Sequence, residues 1–224
     1  MRPLINTVYK QGFSWTDRDE WLAPVDDWST PIHCKLVTAE TDWVLSHLDN
    51  TGTCIQAGGN IGLWPARYAA VFGYVYTFEP SVENYNCLKG NLEDLDNVTI
   101  FNAAVGDNDC PVVLRHPPNK LNRSGACYVE QDPNGKISQL RVDDIVLRGT
   151  VDLIHFDIEG AELFALRGSE QVIKEHHPII VLENRRLTQM TISPSQAINY
   201  LKSLGYRPIA SRNHDIVFKY APAS

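Results

Sequence analysis

The sequence predicts an α/β fold, a mostly parallel sheet with helices packed on both faces. Three observations carry this expectation. From Thr38 onward, short apolar runs alternate with stretches of helical periodicity. Two runs, Val151–Phe156 and Ile179–Leu182, are nearly continuous in apolar residues, as parallel strands buried on both sides are. The last two strands follow each other with no helix between them, which calls for an antiparallel strand at the end of the sheet.

The elements follow in order. All five Trp lie within the first 64 residues, three of them in the acidic stretch Phe13–Trp28, which also holds Pro24 and has no clean strand alternation. Residues 1–37 therefore read as an extension packed on a main domain of residues 38–224, its tryptophans either buried against the core or forming part of a lid. Thr38 is placed to cap a short helix bearing Trp43, Val44, Leu45 and Leu48, which Gly52 ends. Cys54–Ala57 reads as a buried strand. Leu63–Phe72 reads as a helix with Pro65 in its first turn, where a missing N–H is tolerated. Val75–Phe78 is a strand, Ser81 caps a helix carrying Val82, Tyr85, Leu88 and Leu92, and Val98–Phe101 is the next strand. A looser region, residues 107–149, is rich in Pro, Asn and Gly and holds a strand at Val112–Arg115. After Val151–Phe156, a helix starts near Ala161 and Gly168 interrupts it before a second piece ending at His176. Ser193, Pro194 and Gln196 form a helix start, with Ala197, Ile198, Leu201 and Leu204 as its apolar face and Gly205 as its stop. Tyr206–Ala210 and Asp215–Tyr220 close the chain as two strands across a turn at residues 212–214.

Composition narrows the function. At 224 residues with 43% hydrophobic and 21% charged, the chain can bury a core without staples. Its net charge of −7, with no Lys/Arg cluster, lacks the electrostatic footprint of a nucleic-acid binder. No apolar run is long enough to span a membrane, and the start of the chain has no signal-peptide core. Five scattered Cys without a C-x-x-C pair read as reduced thiols in a cytoplasmic protein, and their spacing argues against structural zinc.

Three signals cluster where chemistry is expected, at the carboxyl ends of the strands. Ile55-Gln56-Ala57-Gly58-Gly59-Asn60-Ile61-Gly62 joins a strand to a helix. Glycines there allow a ligand close to the backbone, although the G-x-G-x-x-G fingerprint is absent. Glu79, 21 residues after Gly58 at the end of the next strand, is placed to accept hydrogen bonds from both hydroxyls of a ribose. The run His155-Phe156-Asp157-Ile158-Glu159-Gly160-Ala161-Glu162 gathers three acids and a His at a strand end. Alternation would put His155, Asp157 and Glu159 on one face if the strand extends that far. Those three are chemically able to hold a metal, but none is expected. Glu162 reads as a first-turn acid favoured by the helix dipole. Glu183 either faces the same cleft or pairs with Arg185 or Arg186.

Taken together and in order, Gly58–Gly62, Phe78-Glu79-Pro80, Asn102–Asp107, Val142–Ile145, Asp157–Glu162, Leu166–Gly168 and Leu182-Glu183 resemble the motifs of the FkbM-type class I S-adenosylmethionine (SAM)-dependent methyltransferases. The resemblance is specific over residues 52–185. It implies a Rossmann-like, seven-stranded, mostly parallel sheet with helices on both faces and a C-terminal antiparallel strand. It also implies methyl transfer from SAM to a hydroxyl on a small molecule or carbohydrate. Gly58, Gly59, Asn60 and Gly62 would wrap the methionine part, with the Gln56 amide hydrogen-bonding the turn or the cofactor's amino group. Glu79 would hold the ribose, with Pro80 and Asn84 nearby, and Ala103 and Ala104 would border the adenine. Asp157 would approach the cofactor's amino end. The catalytic candidates are Asp157, Glu159 and His155, with Glu159 the first choice for the base, and Asn122, Arg123 and Ser124 would shape the acceptor pocket. Two positions depart from the family pattern: Gln56 stands where an acid is usual, and His155 where a Lys is. The alternatives are a nicotinamide-dependent oxidoreductase and a catalytically silent SAM-binding module.

Overall fold

The computed structural model describes residues 7–10, 12–16, 32–116, 127–184 and 194–221. In chain order the elements are β1 (Thr7–Lys10), β2 (Phe13–Thr16), α1 (Ile32–Leu45), β3 (Thr53–Ala57), α2 (Leu63–Ala69), β4 (Tyr74–Phe78), α3 (Val82–Asn91), β5 (Val98–Phe101), β6 (Ala104–Val105), β7 (Val112–Arg115), β8 (Tyr128–Gln131), β9 (Gln139–Leu140), β10 (Val151–Phe156), α4 (Glu162–Arg167), α5 (Glu170–His176), β11 (Ile179–Glu183), α6 (Pro194–Ser203), β12 (Tyr206–Arg212) and β13 (Asp215–Tyr220).

The central sheet has seven strands in the order β12-β13-β11-β10-β3-β4-β5. Every neighbouring pair from β11 to β5 is parallel, and β13 runs antiparallel to both β11 and β12. The chain winds outward from β3 in one direction and resumes at β10 in the other. The crevice between the carboxyl ends of β3 and β10 is thus the topological switch point, where open α/β sheets bind ligands.

Strand alternation sorts the core into two layers. Ile55, Phe78, Ile154, Phe156 and Ile180 face α4, α5 and α6. Cys54, Val75, Leu153, Val181 and Val217 face α1 and α2, through Val44, Tyr68 and Phe72. A satellite cluster of Trp15, Val37, Ile61, Leu63 and Cys87 binds β2 to the main domain. Asn91 reinforces it: its side chain accepts from the Ser14 amide and donates to the carbonyls of Ser14 and Ile61. Trp15 is therefore a core residue. Trp21 and Trp28 lie outside the described residues.

Several boundaries differ from expectation: the helix expected over Leu63–Phe72 ends at Ala69, the strand expected over Tyr206–Ala210 runs to Arg212, and α1 starts earlier. The helix expected to start at a Thr38 cap begins at Ile32, so Thr38 is helical rather than capping. Thr41, one turn on, returns its hydroxyl to the Val37 carbonyl at 2.8 Å, the back-bond Thr uses when it lies inside a helix. Ser81 does cap α3, accepting from the Asn84 amide. Gly168 does break the helix after β10 into α4 and α5.

Candidate functional site

A cavity of about 200 Å³ opens at the switch point. The turn after β3 forms its floor. Gly58 adopts φ 87, and a Cβ there would lie 1.9 Å from the Asp157 carbonyl, so only glycine lets the backbones after β3 and β10 approach this closely. The amides of Gly58 and Gly59 both donate to the Phe78 carbonyl, and the Asp157 amide donates to Ala57. These bonds tie together the ends of β3, β4 and β10.

Glu79 closes one side. Its Oε2 accepts from the Asn60 amide at 2.7 Å and its Oε1 from the Ser81 amide at 2.8 Å. Burial pushes its carboxyl up to about 7, against those two amides and the Asn84 side chain, which favour the ionised form. A buried carboxylate with oxygen lone pairs still to fill suits a pair of hydroxyl donors. The Asn60 side-chain Oδ1 is also buried and has no hydrogen-bond partner among the described residues. Small, buried Ala103 and Ala104 line the same cavity as Glu79. The glycine cradle, the unpartnered Asn60 oxygen and the buried acid together fit a nucleoside-bearing cofactor. Among the expected binding residues, Gly58, Gly59, Asn60, Glu79, Pro80, Asn84, Ala103, Ala104 and Asp157 all line this one cavity, as does Glu159.

Three expected residues do not line it. Gly62, at φ 105, is the N-cap of α2, and its small size serves packing against Leu88 and Leu92. Gln56 is fully buried on the opposite face of β3, where it accepts from the Thr77 hydroxyl at 2.6 Å. His155 is fully buried on the same face of β10, its Nδ1 2.9 Å from the Tyr68 hydroxyl. Burial drives the imidazole down to about 3, which favours its neutral form, and His155 does not line the cavity. The expectation that His155, Asp157 and Glu159 share a face fails because β10 ends at Phe156 and Glu159 turns left-handed, at φ 53. Gln56 and His155, the two departures from the family pattern, are register partners across β3 and β10. They form one neutral polar layer with Thr77 and Tyr68, away from the cavity. Asn122, Arg123 and Ser124 lie outside the described residues.

Leu114, Cys127, Val129 and Trp64 also line the cavity without a local signal in the sequence, and Glu183, a candidate for this cleft, lines it too. Leu114, Cys127 and Val129 come from the β7–β8 hairpin, whose register pairs Leu114 with Val129. Trp64 lines the cavity and also packs edge-on against His155, with ring centroids 4.5 Å apart. Glu183, at the end of β11, faces the cavity, and Asp215 is its register partner on β13. Burial, then the nearby Asp157 and Glu40, raise the Asp215 carboxyl to about 7. Among the described residues no helix is long and apolar enough to cross a membrane.

Comparison with known proteins shows the family. The profile of the methyltransferase FkbM domain matches residues 56–208. Among solved structures, the FkbM methyltransferase from Methylobacillus flagellatus KT is 20% identical, with a TM-score of 0.49, over 76% of this chain and 44% of that one. The chain thus spans less than half the length of that relative. Magnesium protoporphyrin IX methyltransferase (ChlM) from Synechocystis PCC 6803, solved with bound SAM, is 11% identical over 84% of this chain and 80% of that one, with a TM-score of 0.52. A ribosomal protein L11 methylase from Lactobacillus delbrueckii subsp. bulgaricus is 10% identical over 84% and 77%, with a TM-score of 0.50. At these identities the likeness to the last two is one of fold. No curated protein matches the sequence. With the methyltransferase FkbM domain matched over more than half of this chain, the chain belongs to the FkbM methyltransferase family.

Proposed function

We propose that the chain binds SAM in the switch-point cavity and methylates a hydroxyl on a small molecule or sugar. The observation that carries this reading is Glu79: a buried carboxylate held by the Asn60 and Ser81 amides, facing the same cavity as the glycine turn. In this reading Gly58, Gly59 and Asn60 surround the methionine part, Glu79 takes the ribose hydroxyls with Asn84 and Pro80 beside it, and Ala103 and Ala104 leave room for the adenine. Asp157 faces the amino end. When bound, SAM supplies a methyl group activated by its sulfonium.

The chain's own residues then have two tasks. Trp64, Leu114, Val129 and Ile158 give the cavity apolar walls that exclude water and orient the acceptor. Glu159 takes the acceptor's proton as the oxygen becomes a nucleophile. Its left-handed backbone, costly for a residue with a Cβ, is the kind of strain that functional sites retain. The division into an extension of residues 1–37 and a methyltransferase domain of residues 38–224 belongs to the same proposal, with α1 running across that boundary. A cytoplasmic location belongs to the same proposal, supported by Cys54 and Cys110, which take part in no disulfide.

The test is thermal unfolding with S-adenosylhomocysteine and, separately, with NAD. Ligand at about 100 times its Kd adds about 2.7 kcal/mol, which raises Tm by roughly 5–10 °C for a chain of this size. A rise with NAD alone would overturn the proposal in favour of an oxidoreductase. Acceptor screening follows, and wild-type turnover in Glu159→Gln would remove Glu159 as the base.

A further inference from the structure

The carboxylate of Glu162 takes no part in the chemistry above, yet it is buried, 6% exposed, at the back of the turn that carries Asp157 and Glu159. A helix first-turn acid acting only through the dipole needs no burial and sits comfortably in water. Glu162 instead folds back on the chain. Its Oε1 accepts from the Gly160 amide at 3.0 Å and from the Ile158 amide at 3.3 Å. Between and beside those amides lie two successive left-handed residues, Glu159 at φ 53 and Gly160 at φ 103. An L residue adopts that conformation only when its surroundings hold it there.

We propose that Glu162 is the positioning residue of this site: its carboxylate clamps the Asp157–Gly160 turn in the shape that presents Asp157 and Glu159 to the cavity. The inference rests on the reading of the cavity as the SAM site. The clamp has a firm base, because Leu163, Ala165 and Leu166 of α4 are buried in the core. The Asp157 amide donates to the Ala57 carbonyl, and the amides of Ile158 and Gly160 both donate to Glu162. Both bonds converge on one oxygen, so a glutamine whose amide oxygen takes that place preserves them. An alanine removes both, and an aspartate, one methylene shorter, withdraws the acceptor from the turn.

The test compares S-adenosylhomocysteine with adenosine by calorimetry in wild type, Glu162→Ala and Glu162→Gln. Backbone amide exchange is read at Ile158 and Gly160. Adenosine lacks the amino-acid part that Asp157 faces, so a misplaced turn weakens S-adenosylhomocysteine and spares adenosine. The expected result is a loss of about tenfold in the affinity ratio for Glu162→Ala with faster exchange at both amides, and recovery to within about threefold in Glu162→Gln. Equal weakening of both ligands, an unchanged ratio or no recovery by glutamine would overturn the proposal. Should Glu162→Ala not fold, Glu162→Asp is read by the same criteria. Failure of wild type to bind either ligand would instead overturn the cofactor site itself, and the clamp with it.

Discussion

Glu79 makes the affinity for S-adenosylhomocysteine depend on pH in a direction that can be worked out. In the free protein, burial holds its carboxyl at about 7. Ribose hydroxyls donate to a carboxylate, so binding selects the ionised form and expels the proton when it is present. The affinity therefore tightens as pH rises and levels off above about 7. At about pH 5.5 the ionised fraction is about 3%, so the affinity is about 30-fold weaker than at about pH 8.5, or about 2 kcal/mol. Calorimetry over this range, in two buffers of different ionisation enthalpy, measures both the slope and the proton count. Release of about one proton per ligand near pH 5.5 is expected. Glu79→Gln should bind about 10- to 100-fold more weakly at high pH and lose most of the slope. A flat profile in wild type, or the same slope in Glu79→Gln, would refute the reasoning; the second result would pass the titration to Glu162, which burial also raises to about 7, or to Asp215.

Other substitutions probe the parts around it. Gly58→Ala would put a Cβ 1.9 Å from the Asp157 carbonyl at a φ of 87; it should cost about 2–4 kcal/mol in urea unfolding and abolish S-adenosylhomocysteine binding. His155→Leu leaves the buried Tyr68 hydroxyl without the His155 nitrogen, at a cost of about 1–3 kcal/mol, partly regained in Tyr68→Phe/His155→Leu. Ligand affinity in both should stay within about threefold of wild type, and a larger loss would return His155 to the site. Asp215, raised to about 7, stays protonated in the folded chain where the unfolded chain has ionised. The folded state then binds more protons between about pH 4 and 7, so this contribution is complete below about pH 4 and is lost as pH rises through about 7. Asp215→Asn should therefore stabilise the chain by about 1–3 kcal/mol at about pH 8 and leave it unchanged near pH 4, read from urea midpoints.

Strands and most helices were legible because their signals are local. Val151–Phe156 and Val98–Phe101 have the observed bounds to the residue. Ser81 and Gly168 mark helix ends through side-chain and backbone chemistry confined to a few residues. The start of α1 is hidden in the sequence because Thr38 satisfies the cap pattern, whereas Val37 before it is already helical and buried with Trp15 and Ile61, residues distant along the chain. The short strands β6, β8 and β9 have no pattern of their own and form only through their partners.

The sequence alone determined the alternating α/β order, the glycine turn and the spacing from Gly58 to Glu79, because apolar periodicity and backbone freedom are written in consecutive residues. Membership of the family was also readable there, in the order of the motifs. The tertiary structure decided which acids and polar residues share a cavity. His155 and Asp157 are two positions apart, but β10 ends between them, so one is sealed under Tyr68 and Trp64 while the other lines the site. Strand alternation predicts a face only while the strand lasts. Where the backbone turns at Glu159, the direction of each side chain is set by what holds the turn, and here that is a carboxylate three residues further on.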